Sequence, residues 1–207
     1  MKSENRTARW NEIYNATAET EVSWYQETPQ PSLDLLRLVG AGPGDAIIDI
    51  GGGMSRLVDH LLDQGFENVA LLDLSEVALA AARVRLGDRR SKVRWIVADV
   101  TNWAPDDYYD VWHDRAALHF LTQAVDKAAY LARLKTALRV GGHAIIGTFA
   151  PDGPEKCSGL PVVRHDANSL SALLGPEFVL IDNRQHEHKT PSSSVQRFQF
   201  STFRRDA

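Results

Sequence analysis

The chain has 207 residues, 43% hydrophobic and 24% charged, a globular balance that excludes a disordered chain. Lys plus Arg number 23 against 27 Asp plus Glu, a net charge of −4 that supplies no overall field for drawing in nucleic acid or anionic lipid. The lone cysteine, Cys157, excludes an intrachain disulfide and a cysteine-based zinc site.

The first 30 residues are polar, and no apolar run approaches the roughly 20 residues of a membrane span, so neither a signal peptide nor a span is expected. The expectation is a soluble, cytoplasmic protein with no nucleic-acid or membrane partner, a monomer in the simplest case. Residues 5–14 and 32–39 read as short helices; Leu33, Leu35, Leu36 and Val39 form a stripe to bury. Gly40-Ala41-Gly42-Pro43-Gly44 then breaks the chain, marking residues 1–40 as an N-terminal helical cap.

From Ala46 the pattern becomes strand and helix in alternation. Residues 46–50 form an apolar run ending in glycines, as a buried parallel strand does, and Leu57, Val58, Leu61 and Leu62 recur at helical spacing. Residues 69–72 are a second strand, followed by an Ala-rich helix capped by Ser75 and ended by Gly87. Residues 93–97, 109–112 and 144–149 are further strands. A helix capped by Thr122 runs to Leu138, with Arg139 and Gly141 at its end. After Pro151 a Gly/Pro-rich loop leads to a short helix at 168–174. Strands 178–183 and 196–203 have no helix between them and should pair antiparallel. The result is a single α/β domain: cap 1–40, core 41–150, and a loop with terminal hairpin, 151–207. The basic cluster Arg83, Arg85, Arg89, Arg90, Lys92 and Arg94 reads as a solvated helix end.

Chemistry concentrates at the strand tips. Strand one ends at Asp49-Ile50-Gly51-Gly52-Gly53-Met54-Ser55, where glycines permit a sharp turn and a close backbone approach to a ligand. A dinucleotide fingerprint wants a third glycine where Arg56 stands, which disfavours NAD. Asp73 follows Gly53 by about 20 residues, at the tip of strand two, where a carboxylate can accept both ribose hydroxyls. Asp99, after strand three, can accept from an adenine amino group.

Taken in order, Ile48-Asp49-Ile50-Gly51-Gly52-Gly53, Leu71-Leu72-Asp73-Leu74-Ser75, Val97-Ala98-Asp99-Val100, Tyr109-Asp110-Val111-Trp112 and Leu138-Arg139-Val140-Gly141-Gly142 resemble the class I S-adenosylmethionine-dependent methyltransferases. The resemblance implies a Rossmann-like, doubly wound, mostly parallel seven-stranded sheet with an antiparallel C-terminal hairpin. It also implies S-adenosylmethionine as cofactor. It would put Gly51, Gly52, Gly53 and Ser55 along the methionine part, Asp73 and Leu74 at the ribose, and Asp99 and Val100 around the adenine. Asp49 would orient the glycine loop and the cofactor's amino group, and His113 and Asp114 would face the transfer pocket.

Trp10-Asn11-Glu12-Ile13-Tyr14 and Glu21-Val22-Ser23-Trp24-Tyr25-Gln26 resemble the openings of small bacterial methyltransferases and of protein-lysine methyltransferases. Trp24 and Tyr25 can enclose a sulfonium by cation–π contact, or simply glue the cap to the core. The protein-lysine pattern has Asp-Lys-Gly-Thr after strand four, of which only Asp114 is present. That leaves Asp114, His113 and His119 as candidate catalytic residues; either histidine could deprotonate an acceptor or be structural. Cys157 could touch the acceptor or be a neutral loop residue. His186 and His188 share a strand face, but no third ligand is evident and no metal is expected. The leading reading is methyl transfer to a small-molecule acceptor. The alternatives are a protein (lysine) methyltransferase and a non-catalytic cofactor-binding module.

Overall fold

The computed structural model describes residues 3–207. Helices α1 (Ser3–Ala16) and α2 (Gln30–Leu38) precede the core. Next come β1 (Ala46–Ile50), α3 (Leu57–Asp63), β2 (Asn68–Asp73), α4 (Glu76–Leu86), β3 (Val93–Val97) and β4 (Tyr109–Arg115). Then follow α5 (Ala124–Ala137), β5 (Leu138–Phe149), the two-residue strands β6 (Lys156–Cys157) and β7 (Leu160–Pro161), α6 (Ala167–Leu174), β8 (Phe178–Lys189) and β9 (Val195–Arg205). Among the described residues, no helix is long and apolar enough to cross a membrane.

Seven strands make one sheet in the order β3-β2-β1-β4-β5-β9-β8, parallel except where β9 pairs antiparallel with β5 and β8. Successive side chains on a strand face opposite ways, and the core divides accordingly. Ile47, Val69, Leu71, Val111 and Ile145 pack on one face with Leu35, Leu57 and Leu79 of α2, α3 and α4. Ile48, Ala70, Leu72, Trp112 and Ile146 pack on the other with Tyr130 and Leu134 of α5 and Leu170 of α6. Helices on both faces make the sheet doubly wound, as expected.

Local chemistry explains most element ends. Ser75 accepts a hydrogen bond from the Ala78 backbone N–H (3.2 Å), capping α4, and Gly87 closes that helix at φ +57°. The expected cap at Thr122 is corrected: α5 begins at Ala124, after Gln123, which makes no side-chain cap bond. Arg139 and Gly141 are corrected too. They belong to β5, which starts directly at Leu138 because Leu138 already pairs with Tyr109 of β4. The terminal hairpin is longer than its apolar pattern suggests. Beyond Asn183 the β8 side chains alternate between half-buried and exposed, so that stretch carries no hydrophobic signal although its backbone pairs fully with β9.

Strand order reverses between β1 and β4. In an open sheet of this kind, the crevice beyond the carboxyl ends of the strands at that point is where ligands bind.

Candidate active site

A cleft opens at that crevice, beneath α1 and the segment leading to α2; with the open space at its mouth it measures about 850 Å³. One side is built from backbone. After Ile50 the chain turns through Gly51 (φ +65°) and Gly53 (φ +49°), and the Gly51 N–H donates to the Leu72 carbonyl at 2.7 Å. A Cβ on Gly51 would come within 2.7 Å of the Ala117 methyl, and one on Gly53 within 2.5 Å of the Tyr14 hydroxyl. Glycine is thus required at both places by conformation and by space.

The loop is braced from below by Arg85, which donates to the carbonyls of Met54 and Ser55 (both 2.9 Å) and pairs with Asp59 (2.7 Å) and Glu19 (2.8 Å). The reading of the basic cluster as a solvated helix end is therefore corrected at Arg85. Its positive charge is held inward by two carboxylates and two carbonyls.

Asp73 lies at the tip of β2 and lines the cleft with Leu74. Its carboxylate accepts from the Ser75 N–H at 2.7 Å. Burial pushes its pKa up to about 7, against backbone hydrogen bonds that lower it. Asp99 and Val100 line the same cleft beyond β3. Asp99 accepts from the Thr101 hydroxyl (2.7 Å) and, on its other oxygen, from Arg6 of α1 (2.7 Å). Arg6 also pairs with Asp126 at 2.9 Å, so α1 is fastened across the cleft. The Ser75 hydroxyl donates to Asn11 at 2.7 Å, a second tie.

The roof is aromatic. Trp10 meets Trp24 edge-on at 5.8 Å and Phe120 at 5.0 Å, and Tyr14 meets Trp24 at 6.0 Å. Burial, then the Asp73 charge, raise the Tyr14 hydroxyl well above its ordinary pKa, so it stays neutral. Trp24 lines the cleft, as expected. Tyr25 does not: it turns outward beneath the Arg56 guanidinium, 5.6 Å from the ring centre, and borders a smaller hollow with Ser55. That placement corrects the expectation that Tyr25 sits at the methyl group. Gly51 borders the cleft directly, while Gly52 lies behind it, against Asp49 and Leu71.

Three expected catalytic side chains are elsewhere. His113 is 2% exposed, with Nδ1 2.7 Å from Asp49 and Nε2 2.8 Å from the Ser32 hydroxyl; it joins β4 to β1 and α2 rather than facing the cleft. Asp114 is fully buried, and burial pushes it up to about 6. Its oxygens accept from the N–H groups of Ala117 (2.8 Å) and Leu118 (3.0 Å) and from the Tyr130 hydroxyl (2.7 Å). Those bonds hold the cleft floor, including Ala116 at φ +72°, a left-handed conformation rare for alanine. His119 is fully buried against Phe120 (4.4 Å) and Phe149 (4.9 Å), and burial pushes its pKa down to about 3. Facing the pocket is thus corrected for all three: each side chain points into the protein.

Cys157 does line the cleft; burial pushes its thiol up to about 11, so it is neutral there. His188 donates from Nε2 to the Ser23 carbonyl (2.8 Å), tying β8 to the cap, and the described residues hold no cluster of three metal-ligating side chains. The sequence reading did not single out Arg6, Arg115, Phe120, Gln196 or Phe198, all of which line the cleft. They come from four separate segments, and no short motif joins them.

Residues 47–142 match the family model described as a methyltransferase domain. The chain is 25% identical over 201 residues to an "eEF1A lysine and N-terminal methyltransferase homolog" of Drosophila melanogaster, covering 85% of this chain and 29% of that one. It is 31% identical over 111 residues to a malonyl-[acyl-carrier protein] O-methyltransferase of Paenibacillus sp. (strain JDR-2), 51% of this chain and 39% of that one. It thus spans well under half the length of these relatives. In fold it is similar to the 1,6-didemethyltoxoflavin-N1-methyltransferase of Burkholderia thailandensis, solved with 1,6-didemethyltoxoflavin and S-adenosylhomocysteine. The TM-score is 0.76 and the identity 21%, over 100% of this chain and 92% of that one. Sheet order, glycine loop and the acidic tips of β2 and β3 agree with the methyltransferase-domain model that residues 47–142, just under half of the chain, match.

Proposed function

We propose that the chain transfers a methyl group from S-adenosylmethionine to a small, flat acceptor seated under the cap. The observation that carries this reading is the roof of Trp10, Tyr14 and Trp24 over a cleft continuous with the glycine loop. Such an enclosed, aromatic-walled space suits a small molecule.

The residues fit the cofactor. The Asp49 carboxylate, with Oδ2 buried against Gly52 and without a partner among the described residues, lies behind the glycine loop and would set the loop that meets the cofactor's amino end. Gly51 borders the cleft with no side chain of its own, which would let the methionine chain approach the backbone there. Asp73 and Leu74, and Asp99 and Val100, line the cleft at successive strand tips, where the first pair would meet the ribose hydroxyls and the second would frame the adenine. The cofactor supplies a methyl group activated by a cationic sulfur. The chain supplies position and dryness: the aromatic roof excludes water and faces a positive centre with π surfaces. No histidine lines the cleft, and Cys157 and Tyr14 are held neutral, so the acceptor presents its own lone pair rather than losing a proton to a side-chain base.

Incubating the protein with methyl-labelled S-adenosylmethionine and cell extract tests the reading. A labelled small product supports it. A labelled protein band would favour the protein-methylating alternative, to which the Drosophila relative is the pointer. No label in either fraction would leave a binding module.

A further inference from the structure

Among the described residues, Arg115 is the one arginine that lines both the main cleft and the smaller hollow beside it. It stands at the tip of β4, between the half that carries Asp73 and Asp99 and the half formed by β5, β9 and β8. Its Nη2 donates to the Trp24 carbonyl at 2.8 Å. Among the described residues no carboxylate comes within ion-pair distance of it, unlike Arg6 and Arg85, each held by two. A guanidinium has five N–H donors in a planar fork. One neutral carbonyl, with the Asp49 charge farther off, leaves most of that capacity unused beside a cleft lined by aromatic rings and, on its adenosine side, by Asp73 and Asp99.

A second polar group shares the cleft. Gln196, at the start of β9, lines it, and its Oε1 is buried without a partner among the described residues. Gln196 and the nearby Cys157 come from segments after β5, away from the adenosine half. A donor-rich cation and an orphaned amide oxygen in one aromatic cavity are complementary to a flat ring that carries an electron-rich oxygen and an N–H.

We infer that Arg115 and Gln196 are the specificity anchors of the acceptor site, and that they select planar nitrogen heterocycles with a lactam or enolate oxygen beside a ring N–H. Arg115 takes the oxygen and Gln196 the N–H, which leaves the ring faces to Trp10, Trp24 and Phe120. This rests on the small-acceptor reading above and names its substrate class.

The probe is lumazine, a pteridine-2,4-dione, titrated calorimetrically into the protein saturated with S-adenosylhomocysteine. Lumazine should bind the native chain, and Arg115→Met and Gln196→Leu should each weaken it by about tenfold or more. 1,3-Dimethyllumazine, which keeps the oxygens and lacks the N–H groups, should retain the Arg115 dependence and lose the Gln196 dependence. Arg115→Lys, which keeps the charge and removes the fork, should fall between native and Met.

Two results would overturn the inference. One is lumazine binding that is absent from the native protein or equal in native, Arg115→Met and Gln196→Leu proteins. The other is an Arg115→Met variant that loses affinity for S-adenosylhomocysteine but not for 5′-methylthioadenosine, which lacks the carboxylate; Arg115 would then hold the cofactor. The native comparison of lumazine with its dimethyl derivative decides the N–H requirement even where a variant does not fold. None of these readouts uses turnover, so a protein acceptor in the labelling assay would defeat the small-acceptor reading separately.

Discussion

The two halves of the cleft are built by different rules. The adenosine half hangs on the tips of β1, β2 and β3, and each contributing residue sits within a few positions of its own strand: Gly51, Asp73 and Leu74, Asp99 and Val100. The acceptor half is assembled from α1, the segment before α2, the tip of β4, the β6–β7 hairpin and the start of β9. The first half is fixed by local turns and strand ends. The second exists only when distant segments meet. Substitutions in the first should therefore act on cofactor affinity alone, and those in the second on cap closure and acceptor choice.

The sharpest break should come at Asp73. Asp73→Ala removes the acceptor for two ribose hydroxyls and should weaken S-adenosylhomocysteine binding by about 2–4 kcal/mol. Calorimetry on a variant with native circular dichroism checks this, and unchanged affinity would remove the ribose assignment. A smaller effect is expected at Arg6. Arg6→Ala frees α1 from Asp99 and Asp126. It should lower turnover about tenfold and speed exchange of the α1 amides, while the glycine loop keeps its protection.

The pH response of the ligand-free protein separates the halves further. Asp73 is held up at about 7 and Asp114 at about 6, above the value near 3.9 of an unfolded chain. Between about pH 4 and 7 the folded state thus binds more protons than the unfolded one. The stabilising contribution is complete below about pH 4 and is lost as pH rises to 7. Denaturant titrations across that window should show declining stability in native protein and a shallower decline in Asp73→Asn; equal slopes would contradict the placement of Asp73. Cofactor affinity should run the other way and rise with pH, because ionised Asp73 is the better acceptor.

The smallest effect belongs to His119. Its ring nitrogens have no partners among the described residues and its pKa is pushed down to about 3. His119→Phe should keep turnover within about twofold and leave the pH–rate profile unchanged. Loss of a limb of that profile would restore His119 as a base.

The same division explains what was legible in the sequence. Every strand of the main sheet carries an apolar run or a glycine stop, so its topology could be read. The acidic tips could be read because Asp73 ends the apolar run of β2 and Asp99 follows that of β3 by two residues. The orientation of His113 could not, because its partners Asp49 and Ser32 are remote in sequence. Asp114 matched a family motif, but it acts by gripping Ala117, Leu118 and Tyr130, and the residue beside it, Arg115, is the one that reaches the cleft. Arg85 looked like part of a surface charge run, since nothing local announces the carbonyls of Met54 and Ser55 that it supports.

Hydrogen exchange with and without S-adenosylhomocysteine tests the central claim, that the cofactor lies on the glycine loop and closes the cap over itself. The account predicts increased protection both at residues 49–55 and at residues 5–28. Protection that rises in neither segment at saturating ligand would contradict it, and protection of the loop alone would leave the cap a fixed wall rather than a lid.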